Sequence, residues 1–94
     1  MYARVVRFTG VGQETIDAVK AMIEESDGPP PGVRATSMKM LFDADQGTSV
    51  FVAFFESEQD LRDADSIFEA MDPGETPGDR QSVDLCEVVI EREA

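Results

Sequence analysis

Thr48-Ser49-Val50-Phe51-Val52-Ala53-Phe54-Phe55-Glu56-Ser57-Glu58 decides how this chain folds. Eight residues rich in β-branched and aromatic side chains read as a strand. Val50, Val52 and Phe54 alternate with Phe51, Ala53 and Phe55, so both faces of that strand are apolar. Ser57 then supplies an N-cap, with Asp60 three residues on as an approximate capping box. A helix follows to about Met71, its inner stripe made by Leu61, Ala64, Phe68 and Met71 with Ile67 beside it.

Upstream, Asp43-Ala-Asp-Gln-Gly47 is a hairpin loop with glycine where positive φ is wanted. Before it, Val33 to Phe42 reads as a strand, with Met38, Met40 and Phe42 on one face and Ser37, Lys39 and Leu41 on the other. Gly28-Pro29-Pro30-Pro31-Gly32 stops a helix running from Gln13 to about Ser26. Ile16, Val19 and Ile23 mark that helix's apolar side, Met22 lies beside them, and Glu14 and Asp17 suit its N-terminal dipole. The chain opens with a strand, Tyr2 to Phe8, and Asp72 to Gly78 forms a long loop before a last strand, Gln81 to Glu91.

The order is βαββαβ in a single domain, residues 1–94: an α+β, ferredoxin-like, four-stranded antiparallel sheet with both helices on one face. Two-faced strands then leave a problem. On this reading Tyr2, Val6 and Phe8, with one row of the third strand and one row of the last, line the face away from the helices, an apolar patch too large for water. A second copy of the chain, sheet facing sheet, is the cheapest cover, and predicts a homodimer.

Composition narrows the chemistry. With 94 residues, no His and one Cys, neither a His-based nucleophile nor a His-ligated metal or haem is available, and no intrachain disulfide can form. Eight Lys and Arg against twenty Asp and Glu give a net charge of −12, which argues against nucleic acid or an anionic membrane surface as partner. That acidity fits an ordinary solvated surface or adaptation to a salty interior. No run is long and apolar enough for a membrane span, and Arg4 and Arg7 interrupt any signal-peptide core, so a cytoplasmic protein is expected.

Single residues carry limited chemistry. Arg4 could hold a carboxylate or phenolate, or pair with an acid of a partner chain. Tyr2 could stabilise an oxyanion or simply pack at the sheet edge. Lys39 is a candidate base if buried and a strand-edge charge otherwise. Cys86 reads as a small buried hydrophobe. Asp43-x-Asp45-x-Gly47 fails as a calcium loop: its glycine comes one place early and its twelfth position is Phe54. Asp60, Asp63 and Asp65 read as a solvated helix face.

The opening Met-Tyr-Ala-Arg-Val-Val-Arg-Phe strand, the Gly32-led second strand, Asp43 with Gly47, and Phe54-Phe55-Glu56-Ser57-Glu58 together resemble the dimeric α+β barrel superfamily, in particular its antibiotic-biosynthesis-monooxygenase-like families. The resemblance spans nearly the whole chain and implies a homodimer, with Tyr2, Arg4, Val6, Phe8, Phe51, Ala53 and Phe55 turned into a barrel lumen. It implies cofactor-free oxidation by O₂ or haem degradation as possible activities. The haem-degrading branch uses an Asn, a Trp and a His; Val6 and Phe55 occupy the first two positions and the third has no counterpart, which argues against that mechanism. The expectation is a homodimer without cofactor or metal that binds a small apolar or aromatic molecule. Its pocket residues are Val6, Phe8, Met38, Met40, Phe51 and Phe55, and Arg4 and Tyr2 carry any catalysis. A cofactor-independent monooxygenase and a non-catalytic sensing or structural dimer stay open as alternatives.

Overall fold

The computed structural model describes residues 1–26, 28–70 and 78–93. The elements follow the expected order: β1 (Tyr2–Thr9), α1 (Gln13–Glu25), β2 (Ser37–Asp43), β3 (Thr48–Phe55), α2 (Glu58–Ala70) and β4 (Asp79–Glu87). One antiparallel sheet runs β2-β3-β1-β4. The pairs β1/β2 and β3/β4 are each parallel and each split by an intervening strand. Right-handed crossovers in both halves put the two helices on the same face, the ferredoxin-like arrangement.

Local chemistry explains most element boundaries. The Asp60 amide donates to Ser57 Oγ at 3.1 Å, so the expected cap starts α2. At the C-terminal end of α1, Ser26 Oγ donates to the Ile23 carbonyl at 2.7 Å. Asp43 Oδ1 accepts the amides of Asp45 and Gln46 at 3.1 and 3.3 Å, an Asx turn that leads into Gly47 at φ +63°. Those aspartates therefore build a hairpin, as their sequence suggests. The Met71 position and the loop before residue 78 lie outside the described residues.

Two strands differ from the sequence reading. β2 begins at Ser37 rather than Val33, because a turn closed by the Val33 amide on the Pro30 carbonyl (3.0 Å) occupies the start of that stretch. β4 ends at Glu87 rather than Glu91. Its ladder is continued by one further bond, Val88 N–H to the Met1 carbonyl at 2.9 Å. Val89 and Ile90 are consequently left 81% and 83% exposed.

The faces of the sheet are also the reverse of those expected. Paired residues share a face, so Tyr2, Arg4, Val6 and Phe8 stand with Phe55, Ala53, Phe51 and Ser49 of β3 and with Met38, Met40 and Phe42 of β2. This row lies under α2 and does not face away from it: Ala53 and Phe55 form one buried cluster with Leu61 and Ala64 of α2 and Val33, against which Tyr2, Phe51 and Phe68 pack. Phe55 is fully buried. The open face instead carries Ala3, Val5 and Arg7, Val50, Val52 and Phe54, and Ser37, Lys39 and Leu41.

Gly78 fastens the return into β4. Its φ is +87°, and an added Cβ would sit 2.7 Å from Val11 Cγ2 and 2.8 Å from the Thr9 carbonyl oxygen. Gly78→Ala should therefore destabilise the fold by about 1–3 kcal/mol in chemical denaturation; an unchanged midpoint would contradict the close approach.

Candidate functional site

A charged group on an otherwise apolar row sets the site. Arg4 sits mid-strand on β1 between Tyr2 and Val6 and is only 6% exposed. A buried guanidinium needs counter-charge and hydrogen-bond acceptors, and α2 supplies both. Arg4 Nε donates to Asp65 Oδ1 at 3.0 Å and Nη2 donates to Glu69 Oε1 at 3.2 Å. The guanidinium also lies over the Phe68 ring, 4.8 Å from its centroid, a cation–π contact on the same helix. Arg80 of β4 completes the network, with Nη1 and Nη2 donating to Glu69 Oε1 and Oε2 at 2.8 and 3.2 Å. Two arginines thus face two carboxylates.

Helix α2 packs over β1 and β3, and β4 lies beyond it at the sheet edge. A cleft of about 430 Å³ opens there between α2 and β4, lined by Asp65, Glu69, Arg80, Gln81, Ser82, Val83 and Leu85. A second hollow of about 210 Å³ lies at the other end of the same edge, lined by Tyr2, Glu58, Leu61, Arg62, Leu85, Cys86 and Glu87. Leu85, 43% exposed, lines both.

The expected site residues separate into groups. Val6 and Phe55 are buried and Phe8 and Phe51 half-buried on the helix-facing side, so none is turned toward a space between two sheets. Met40 is half-buried on that same side and Met38 is exposed. Tyr2 packs against the core cluster and borders the smaller hollow. Arg4 pairs within its own chain, neither facing an open lumen nor awaiting a partner's acid. Lys39 stands exposed on the edge strand β2. Cys86 is exposed rather than buried, because it projects from an edge strand onto the open face.

The sequence pattern alone does not group Asp65, Glu69 and Arg80. Asp65 is no solvated residue: it turns to the sheet and binds Arg4. A signal is present, since Asp65 and Glu69 follow the inner-stripe residue Leu61 at i+4 and i+8 and flank Phe68. Asp63, by contrast, is exposed and accepts from Gln59 Nε2 at 2.8 Å.

Among the described residues no group of three or more possible metal ligands converges, and no helix is long and apolar enough to cross a membrane. Compared with protein-family models, curated proteins and solved structures, the chain matches none of them.

The Glu69 carboxyl is held below its ordinary value of 4.5, chiefly by the hydrogen bond from Arg80, with the charges of Arg80 and Arg4 adding to it against the opposing effect of burial. A depressed carboxylate stabilises the fold above its unfolded value and loses that contribution as pH falls through the folded one. In an NMR titration Glu69 should titrate below the ordinary value, and Arg80→Gln should move it back up. A Glu69 midpoint unmoved by that substitution would contradict the assignment.

Proposed function

We propose that the chain acts as a homodimeric binding protein of the dimeric α+β barrel kind, similar to the antibiotic-biosynthesis-monooxygenase-like families, and that each copy holds a small aromatic molecule in the cleft between α2 and β4. The cleft itself carries this reading. Its volume of about 430 Å³ falls in the range of small-molecule sites, which combine apolar contact with a few fixed polar groups. Val83 and Leu85 offer the apolar contact. Asp65 and Glu69, held in place by their ion pairs with Arg4, give the α2 side of the cleft a fixed wall. Arg80, Gln81 and Ser82 add polar groups to the lining.

Charge balance favours binding over catalysis. Oxidation by O₂ without a cofactor asks the protein to stabilise a substrate anion. Arg4 and Arg80 are both already neutralised by Asp65 and Glu69, an arrangement better suited to a neutral ring with a hydroxyl or carbonyl than to an enolate or phenolate. The dimer rests on the open sheet face, where Val5, Val50, Val52, Phe54 and Leu41 have no helix over them, and on the exposed pair Val89 and Ile90.

Native mass spectrometry of the protein purified from the cells that make it tests both parts. The expected species has twice the chain mass of 10.3 kDa plus a reproducible added mass. Val83→Trp, which fills the cleft, should remain dimeric and lose the addition. A species at the mass of one chain would overturn the dimer, and a bare dimer in every preparation would overturn the ligand.

A further inference from the structure

The open face of the sheet reads as three rows running across all four strands in the order β2, β3, β1, β4. They are Ser37–Phe54–Ala3–Cys86, Lys39–Val52–Val5–Asp84 and Leu41–Val50–Arg7–Ser82. These twelve residues include two cations and one anion, and with Asp43 and Asp79 at the strand ends the face carries a net −1, in a chain whose total is −12. Most of the negative excess that would drive two copies apart is therefore carried elsewhere. In the middle row the ends are opposite in sign: Lys39 on one edge strand, Asp84 on the other, about 14 Å apart across three strand spacings. Both are exposed, and among the described residues neither makes a salt bridge.

We propose that two copies stack through this face about a two-fold axis lying between the sheets and parallel to the strands, so that Lys39 of each copy pairs with the partner's Asp84. The proposal rests on the homodimer reading and adds its register. A two-fold contact must be self-complementary, each residue meeting its counterpart's partner. An axis along the strands exchanges the two edges and lays β2 over the partner's β4. The middle row then meets its own reverse: Lys39 faces the partner's Asp84 twice, while Val52 and Val5 close the centre. Stacked sheets lie about 10 Å apart, a gap that a lysine and an aspartate side chain span together. Arg7 comes to lie over the partner's Val50, one strand and one row from the partner's Asp43. The other in-plane axis, perpendicular to the strands, would set Lys39 on Lys39 and Asp84 on Asp84, and juxtaposed like charges oppose association.

Charge reversal tests the register. K39E and D84K are each made alone and then mixed in equal amounts, and dimerisation is followed by sedimentation velocity and native mass spectrometry. Each variant alone places two like-charged pairs in the interface and should dimerise about tenfold or more weakly than the unaltered chain. The mixture should recover 1:1 heterodimers. In them the carboxylate introduced by K39E faces the ammonium introduced by D84K on one side, and the original pair meets on the other. Such recovery also shows that both variants fold. If the variants dimerise as the unaltered chain does, or if mixing restores nothing, the register is wrong while the homodimer stands. If the unaltered chain is itself monomeric, the homodimer reading falls and the register with it.

Discussion

The arrangement of this molecule turns on where one buried cation finds its counter-charge. Arg4 lies in the middle of the central strand β1, and leaving a guanidinium there unpaired would cost several kcal/mol. Only an element presenting carboxylates at the right height can cover that row. Helix α2 does so with Asp65 and Glu69 one turn apart and Phe68 between them. Once α2 is fixed over Arg4, the pleat does the rest: Tyr2, Val6 and Phe8 join Ala53 and Phe55 beneath the helix, and Ala3, Val5 and Arg7 are turned to the opposite side. The cleft follows as well, since a helix centred over β1 and β3 leaves β4 uncovered at its edge.

The element order is legible in the sequence because its signals are local. Period-2 alternation, the Ser57 cap and the Asp43–Gly47 turn each act within a few residues. Which face of the sheet the helices cover is not legible. Both rows of β3 are apolar, and β1 places one arginine on each side, Arg4 on one and Arg7 on the other, so alternation alone cannot choose. The choice depends on contacts 61 and 65 residues away in sequence. The end of β4 is hidden for a similar reason. Val89 and Ile90 have the composition of a strand, but the last backbone bond to β1 is made by Val88. Cys86 misleads because its residue type favours burial, whereas an edge strand on an uncovered face exposes it.

The two faces divide the labour. The helix-facing side is closed by packing, and its buried arginine holds two carboxylates that line a cleft. The open side holds a strip of Val, Phe and Leu bracketed by Lys39 and Asp84, with little of the acidity that covers the rest of the chain. A protein of this size buries about two thirds of the surface its unfolded chain exposes and is marginal alone, which makes a partner on the open side a contribution to stability as well as to assembly. Ligand binding and self-association are thus assigned to opposite faces of one sheet, with Ser82 on the edge strand the residue common to both.

The pairing of β1 with α2 is measured most directly by a double-mutant cycle on Arg4→Met and Asp65→Asn, read as unfolding free energy in denaturant. Contacting charged residues in one network give a coupling of about 0.5–3 kcal/mol. The account predicts a coupling in that range, with the double variant losing less than the two single losses combined. Strict additivity would place Arg4 on the face away from α2, and the assignment of both faces would fail with it.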